Sequence, residues 1–413
     1  MTLKRTGSTT VLMIACISLY APAWAQNGDP PPMDAPSTAP IQAGPLILAP
    51  IVRLTNAGYD SNIFNRDQDS SPQSDIMATL SPSVDGWLRL AHGRVSGRSQ
   101  FDIYYFKQLT DLRAVDNDSG GRLEIPLNRF RPFVTGSFVN TRHRQNLELD
   151  AIVRRQINTV RVGTDVRLTA KLTAALFVSR SRLNYNTNSI YQGTDLSRVL
   201  NNTGTGEGAS LRYVLTPLTT VGITVDRQHN RFDSAIDRDS DSFNVMPMVE
   251  FNPRALISGT ASFGFRQRKS TAGTAPDYNG SVALADLTYT LLGRTRFTVA
   301  ARRQLEFSYV VDRLDYVDAS LTLGVSQRFA DSWDVGGSIT RSRLSYGNVS
   351  SPSDSTVTIG FPDETVLGWT AEAGYSFART RVGVRVERFE RQATAQLRGY
   401  ERFRIGSTLT YEF

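Results

Sequence analysis

Residues 402–413 read RFRIGSTLTYEF. Counting back in twos from Phe413 gives Tyr411, Leu409, Ser407, Ile405 and Phe403; the other phase gives Glu412, Thr410, Thr408, Gly406, Arg404 and Arg402. A period of two puts each set on one face of a β-strand. The stretch therefore carries one apolar, aromatic face and one polar, charged face, in a chain whose mean hydropathy is −0.27.

The same pattern recurs upstream. In 156–170, Val160, Val162, Val166 and Leu168 share a phase against Arg161, Asp165 and Arg167. In 242–252, Phe243, Val245, Val249 and Phe251 oppose Asn244 and Glu250, and in 366–377, Leu367, Trp369, Ala371, Ala373, Tyr375 and Phe377 oppose Thr370 and Glu372. From about residue 46 onward, alternating runs are joined in turn by a short turn and a longer stretch rich in Asn, Asp, Ser, Gly and Pro, which is loop chemistry. Short turns fall near 91–93, 128–129, 170–171, 216–217, 253–254, 293–294, 330–331 and 378–380. Counting runs gives eighteen strands, within sixteen to twenty, with eight short turns and nine long loops.

A soluble β-sandwich also alternates. Three features favour a transmembrane antiparallel up-and-down barrel with short periplasmic turns and longer extracellular loops. The runs are long, and a tilted membrane strand needs about 9–11 residues where globular strands average about 5–6. The minority face is dense in Arg, Asp and Glu, unsuited to a dry core and suited to a wet lumen. Aromatics gather beside the short turns (Phe130, Phe251, Tyr289, Phe297, Phe329, Trp333, Phe377, Tyr411), as in an interfacial girdle. After the first 25 residues there is no apolar run of the length a transmembrane helix needs.

The N-terminus has the layout of an export signal. Lys4 and Arg5 precede the apolar VLMIACISLYAPAWA, and Ala23-Trp24-Ala25 is a small-x-small cleavage site. Cleavage after Ala25 lowers the net charge from +7 to +5 and removes Cys16, the one cysteine, which leaves no disulfide framework and no thiolate metal site. Cleavage as a lipoprotein at Cys16 is the alternative, against which MIAC is a poor lipobox. Residues 26–45 read as a Pro-rich periplasmic lead-in, and 46–413 as the barrel.

Of 46 basic residues only Lys4, Lys107, Lys171 and Lys269 are lysines. Arg suits planar pairing with carboxylate or phosphate. Nucleic acid is the rival partner for a basic chain, but the arginines are dispersed and do not form a block. Two sets follow from phase. Arg98, Asp102, Arg161, Asp165, Arg167, Arg212, Glu250, Arg266, Arg268, Glu306, Glu372, Arg402 and Arg404 should face the lumen, where they either favour anionic solutes or pair across strands to hold the wall. Arg142, Arg144, Arg180, Arg182, Arg227, Arg231, Arg341, Arg343 and Arg388 continue the lipid-facing phase at the outer end of their strands. An Arg costs about 2–4 kcal/mol at mid-membrane and near 0–1 at the interface, so these should sit at the outer boundary and contact lipopolysaccharide phosphates, or else act as plain solvated rim residues.

No catalytic constellation stands out. His92, His143 and His229 are isolated, and GTGEG (204–208) lacks the Lys-Ser/Thr of a phosphate loop. No cofactor and no enzyme activity are expected.

NAGYDSNIF (56–64), placed here just after the first strand, resembles the Tyr-Asp-x-Asn-Ile entry of the putative β-barrel porin 2 family. That resemblance covers the layout from about 46 to 413. It implies a Gram-negative outer-membrane protein associated with exopolysaccharide synthesis and export, and it carries over no catalytic residues. Phe413, Tyr411 and Leu409 resemble the terminal signature read by the barrel-insertion machinery. The expected partners are thus the outer membrane, lipopolysaccharide, the insertion machinery and polysaccharide export components. Three functions stay open: polysaccharide export, a general or anion-preferring diffusion porin, and a closed structural or adhesion barrel acting through its loops. Tyr104 and Phe106 are inward candidates for a thin aromatic sugar ladder. The Pro-rich lead-in is too small for the plug domain of a receptor-type transporter.

Overall fold

The computed structural model describes residues 31, 33–36, 39–272, 277–311, 313–346, 363–393 and 398–413. The proposed signal peptide lies outside the described residues. Eighteen long strands form the molecule: β1 Leu46–Asp60, β2 Asp75–Arg89, β3 Arg94–Phe106, β4 Ala114–Glu124, β5 Phe130–Thr141, β6 Arg155–Arg167, β7 Leu172–Tyr185, β8 Asn202–Thr216, β9 Thr219–Phe232, β10 Ser240–Phe251, β11 Ile257–Ser270, β12 Tyr278–Leu291, β13 Thr295–Phe307, β14 Asp315–Phe329, β15 Trp333–Tyr346, β16 Glu364–Phe377, β17 Thr380–Gln392 and β18 Tyr400–Glu412. Each pairs antiparallel with its sequence neighbours, and β1 pairs antiparallel with β18, so the sheet closes on itself without an edge. Strands about 4.8 Å apart and tilted about 40° give a cylinder roughly 36 Å across.

The sequence alternation sets the two faces. Leu176, Val178, Phe263, Ile339, Trp369 and Val384 are exposed on the outside. Their in-between neighbours Arg266, Ser338, Thr370 and Arg385 turn inward, partly or wholly buried. Aromatics collect at the short-turn end. Tyr289 stacks on Phe297 at 6.1 Å between ring centres, Trp333 meets Tyr375 at 4.9 Å, and Tyr411 meets Phe413 edge-on at 4.8 Å. Phe413, Tyr411 and Leu409 belong to the outward phase of β18 at that end, next to β1 and β17.

One local expectation is corrected. Residues 56–60 do not follow the first strand; they are its last five residues. The pairing of β1 slips between Leu54 and Ala57 against β18, and between Thr55 and Gly58 against β2. Such a bulge inserts one extra residue and switches the phase. Asn56 takes φ +53 there, a left-handed value that Asn tolerates better than most residues. Before the bulge even positions face out; after it odd positions do, and Tyr59 is exposed while Asp60 is buried. Gly58 then meets Gly406 across the seam so closely that a Cβ on Gly58 would lie 2.1 Å from the Ile405 carbonyl oxygen.

Candidate functional site: a polar lumen with a folded-in plug

The thirteen charged residues assigned to the lumen by phase all point inward, and the structure ties most of them to neighbours. Arg98 makes a two-pronged pair with Asp85, at 2.6 and 2.7 Å. Asp165 meets Arg122 at 3.5 Å, Glu306 meets Arg302 at 2.6 Å, and Glu372 meets Arg381 at 3.5 Å. Arg268 pairs with Asp315, Arg402 with Asp60, and Arg404 bridges Asp60 and Glu387 at 3.3 and 3.2 Å. Asp102 accepts from Gln100, Arg266 donates to the Ser242 hydroxyl, and Arg167 donates to the Asn128 carbonyl at the short-turn end. Arg161, Arg212 and Glu250 are exposed to the lumen and make no ion pair among the described residues. The Arg161 guanidinium lies 4.6 Å from the Phe177 ring centre, and Arg122 lies 4.1 Å from that of Phe133. Gly163 makes room for the Phe133 ring, since a Cβ there would come within 2.7 Å of that ring and 2.4 Å of the Leu176 carbonyl oxygen.

At the long-loop end, described loop segments enter the lumen. Segments 142–154, 186–201, 308–311 and 313–314 fold into the mouth and build a small core of Leu149, Ala151, Tyr185, Leu196, Leu200 and Tyr309. A second cluster sets Ile63, from the loop after β1, on Met77 and Phe106 of the wall. Phe106 and Tyr104 therefore bed the plug and are not a free ladder; Tyr104 stacks near His143 at 6.2 Å.

Charged side chains latch the plug. Glu364, at the start of β16, takes Arg391 from β17 and Arg398 from the following loop at 3.0 Å each through their Nε atoms. Arg391 also donates to the Leu147 carbonyl at 2.6 Å, and Arg398 to the Glu148 carbonyl at 2.9 Å. The Glu148 carboxylate accepts from the Ser308 hydroxyl at 2.6 Å. Arg238 donates to the Ser308 and Val310 carbonyls. Burial pushes the Glu148 carboxyl up to about 7 against the opposing pull of Ser308 and Arg398. His143, in the same loop, is a half-buried residue, and desolvation with the charges of Arg144 and Arg155 holds it down at about 3. Glu148, Glu364, Arg391 and Arg398 were not singled out from sequence. The one available signal was the apolar set Leu149, Ala151, Ile152 and Val153 inside a stretch otherwise composed like a solvent loop.

The arginines assigned to the outer rim divide. Arg180, Arg182, Arg227, Arg231, Arg341, Arg343 and Arg388 lie on the outward phase of their strands. Arg142, just past β5, donates to the Asp111 carbonyl on the loop end. Arg144 is a correction: it is buried inside the mouth, bound to the Ile63 carbonyl and paired with Asp150. The strand ends at Thr141, and beyond it phase no longer fixes direction; the turn carries Arg144 inward with the plug. At the opposite end, residues Pro31 and Asp34 reach the lumen wall, where the Ser96 hydroxyl donates to the Pro31 carbonyl at 2.9 Å and Arg94 pairs with Asp34 at 3.0 Å.

The family described as Putative beta-barrel porin 2 matches residues 35–413. Among curated proteins nothing matches. Solved structures similar to this chain include the apoprotein form of the FrpB iron transporter from Neisseria meningitidis (F5-1 variant), at 8% identity, covering 84% of this chain and 61% of that one, with a TM-score of 0.44. The chain thus spans about three fifths of that transporter's length. A BenF-like porin from Pseudomonas fluorescens Pf-5 is similar at 11% identity over 89% of this chain and 98% of its own, with a TM-score of 0.49. The outer membrane protein opdK from Pseudomonas aeruginosa is similar at 12% identity, 89% and 98% coverage and a TM-score of 0.46.

Proposed function

Because this chain belongs to the Putative beta-barrel porin 2 family and is an outer-membrane β-barrel, we propose that it is a gated, non-catalytic passage that assists export of a surface polysaccharide, after signal cleavage at Ala25. The carrying observation is the combination of a polar, ion-pair-lined lumen with a mouth closed by non-covalent contacts. A plug held by Glu364, Arg391, Arg398 and Glu148 can leave the mouth without breaking a bond or opening the wall. Behind it, Arg161 and Arg212, which make no ion pair among the described residues, offer guanidinium groups to an anionic polymer, and wall Ser, Thr, Asn and Gln side chains offer hydrogen bonds to hydroxyls.

The second reading is a closed structural barrel acting through its loops, favoured by the packed cores inside the mouth. Deleting the gene and measuring secreted polysaccharide, alongside single-channel recording of the purified protein, tests the proposal. Export predicts reduced secreted polymer and conductance once the plug is unlatched. Unchanged polymer with unlatched conductance indicates a diffusion porin, and neither effect indicates the closed barrel.

A further inference from the structure

The outward arginines at the loop end do not form a uniform belt. On β7 to β10 three of them, Arg182, Arg227 and Arg231, face carboxylates on the same outer face. Arg182 is held by Asp233, Arg231 by Asp241 at 2.8 Å, and Arg227 approaches Asp241 at 3.6 Å. His229 sits between Asp241 at 2.9 Å and Glu207 at 3.6 Å. A phosphate approaching there would meet three carboxylates. Arg388 on β17 pairs with Glu401 at 3.2 Å, and Arg180, between Val160 and Thr205 in its row, has no carboxylate partner among the described residues.

On β13 to β15 the balance reverses. Arg303 and Arg343 occupy the same cross-strand row, one on each side of Ala319. Two strand spacings put their backbones about 10 Å apart, with only a methyl between them. Ala283 flanks Arg303 on its other side. Arg341 lies one outward position below Arg343. Among the described residues Arg341 makes no ion pair, Arg303 has only the Ser281 hydroxyl at 3.2 Å, and Arg343 alone has an acid, Asp363. Directly below, Leu321 and Leu367 sit beside Arg341, with Ile339 and Trp369 one level lower, all exposed on the outside.

Height fits this reading. Arg341 is eight residues beyond Trp333 of the aromatic girdle, about 26 Å of strand and about 20 Å of height at a 40° tilt, against an apolar band about 25 Å tall. Arg343, two residues further on, therefore lies at about the outer edge of the band and Arg341 about 5 Å inside it, close enough for both long side chains to reach up to a lipid phosphate.

We infer that Arg303, Arg341 and Arg343 form a binding site for a phosphate of an outer-leaflet lipid headgroup, that of lipopolysaccharide, with its acyl chains lying on Leu321, Ile339, Leu367 and Trp369. Two or three guanidinium groups closing on one phosphate make charge-assisted, bidentate hydrogen bonds. The small side chains of Ala283 and Ala319 leave the headgroup its space.

Native mass spectrometry of delipidated protein, titrated with lipid A bearing or lacking its phosphates, tests the site. The wild type should retain phosphorylated lipid A and bind the dephosphorylated form at least tenfold more weakly. R303A/R341A should lose the preference, R303K/R341K should keep part of it, and R182A/R231A should behave as wild type. All variants are first checked for the folded, heat-modifiable band. Equal binding of the two lipids by the wild type, or a phosphate preference undiminished in folded R303A/R341A, would overturn the inference. A preference abolished by R182A/R231A would overturn it too, placing the site on β7 to β10.

Discussion

Arg402 of the last strand lays its guanidinium on Asp60 of the first, its Nε 3.0 Å from both carboxylate oxygens. The pair is buried inside the seam that closes the barrel. Its neighbours come from the same few residues. Asn62 donates to the Glu401 carbonyl at 3.0 Å, the Ser61 amide donates to the Phe403 carbonyl at 2.9 Å, and the Asp60 carboxylate accepts from the Asn62 amide. Ile63 then enters the plug, 1% exposed. The stretch YDSNI thus joins wall closure to mouth closure.

Removing one partner of such a buried pair strands the other charge, at about 3–5 kcal/mol. Asp60→Ala should lower the unfolding stability of the folded barrel by that order, read as a shift in the urea midpoint in lipid or detergent. A midpoint within error of wild type would mean the seam does not depend on the pair.

Gly58 leaves no room for a side chain. The atoms a Cβ would strike, Ile405 O at 2.1 Å and Gly406 Cα at 2.5 Å, are backbone and cannot rotate away. Gly58→Val should prevent closure and abolish the heat-modifiable form. Gly136→Ala, where nothing lies within 4 Å, should fold normally. Equal folding yields for the two would contradict the seam geometry.

The plug carries two titrations of opposite sign. Glu148 is raised in the docked loop to about 7 from 4.5, so its contribution is full below 4.5 and is lost as pH rises through 7. His143 is lowered to about 3 from 6.5, so its contribution is intact above 6.5 and falls as pH drops toward 3. Between about pH 4.5 and 6.5 each has a slope of about 1.4 kcal/mol per pH unit, and the two oppose. Hydrogen exchange of residues 142–154 should be nearly flat over that window in wild type. Glu148→Gln should make acidification loosen the loop, and His143→Gln should make it tighten the loop. Parallel curves for all three proteins would refute the assignment.

Glu364 receives both latch arginines. Glu364→Gln should weaken the docked state and raise the open-to-closed ratio in single-channel recordings by tenfold or more, since 1.36 kcal/mol already gives that factor. An unchanged closed trace would show that the plug is held by its apolar cores alone.

The barrel was legible because a closed sheet imposes a period of two on every strand, and residues such as Val160 to Val166 or Leu367 to Phe377 keep it without interruption. The same rule placed Arg98, Glu250 and Arg404 inside and Arg341 outside. It failed where the backbone leaves the ladder. The bulge at Asn56 hid the last third of β1, and the turn after Thr141 took Arg144 inward. The plug was not legible because loop composition reports turn chemistry, not destination. Leu149, Leu196 and Tyr309 lie far apart in sequence and meet only once the cylinder has closed around them.

The central claim is that a greasy outer face and a wet inner face alternate residue by residue, and β18 tests it most directly. With Cys16, the sole cysteine, replaced, single cysteines at positions 403 to 410 can be probed in liposomes with a small aqueous maleimide and a lipid-phase quencher. Phe403→Cys, Ile405→Cys and Leu409→Cys should meet the quencher and resist the maleimide, while Arg404→Cys, Thr408→Cys and Thr410→Cys should do the reverse. Labelling that does not alternate, with both sets reacting alike, would contradict the account.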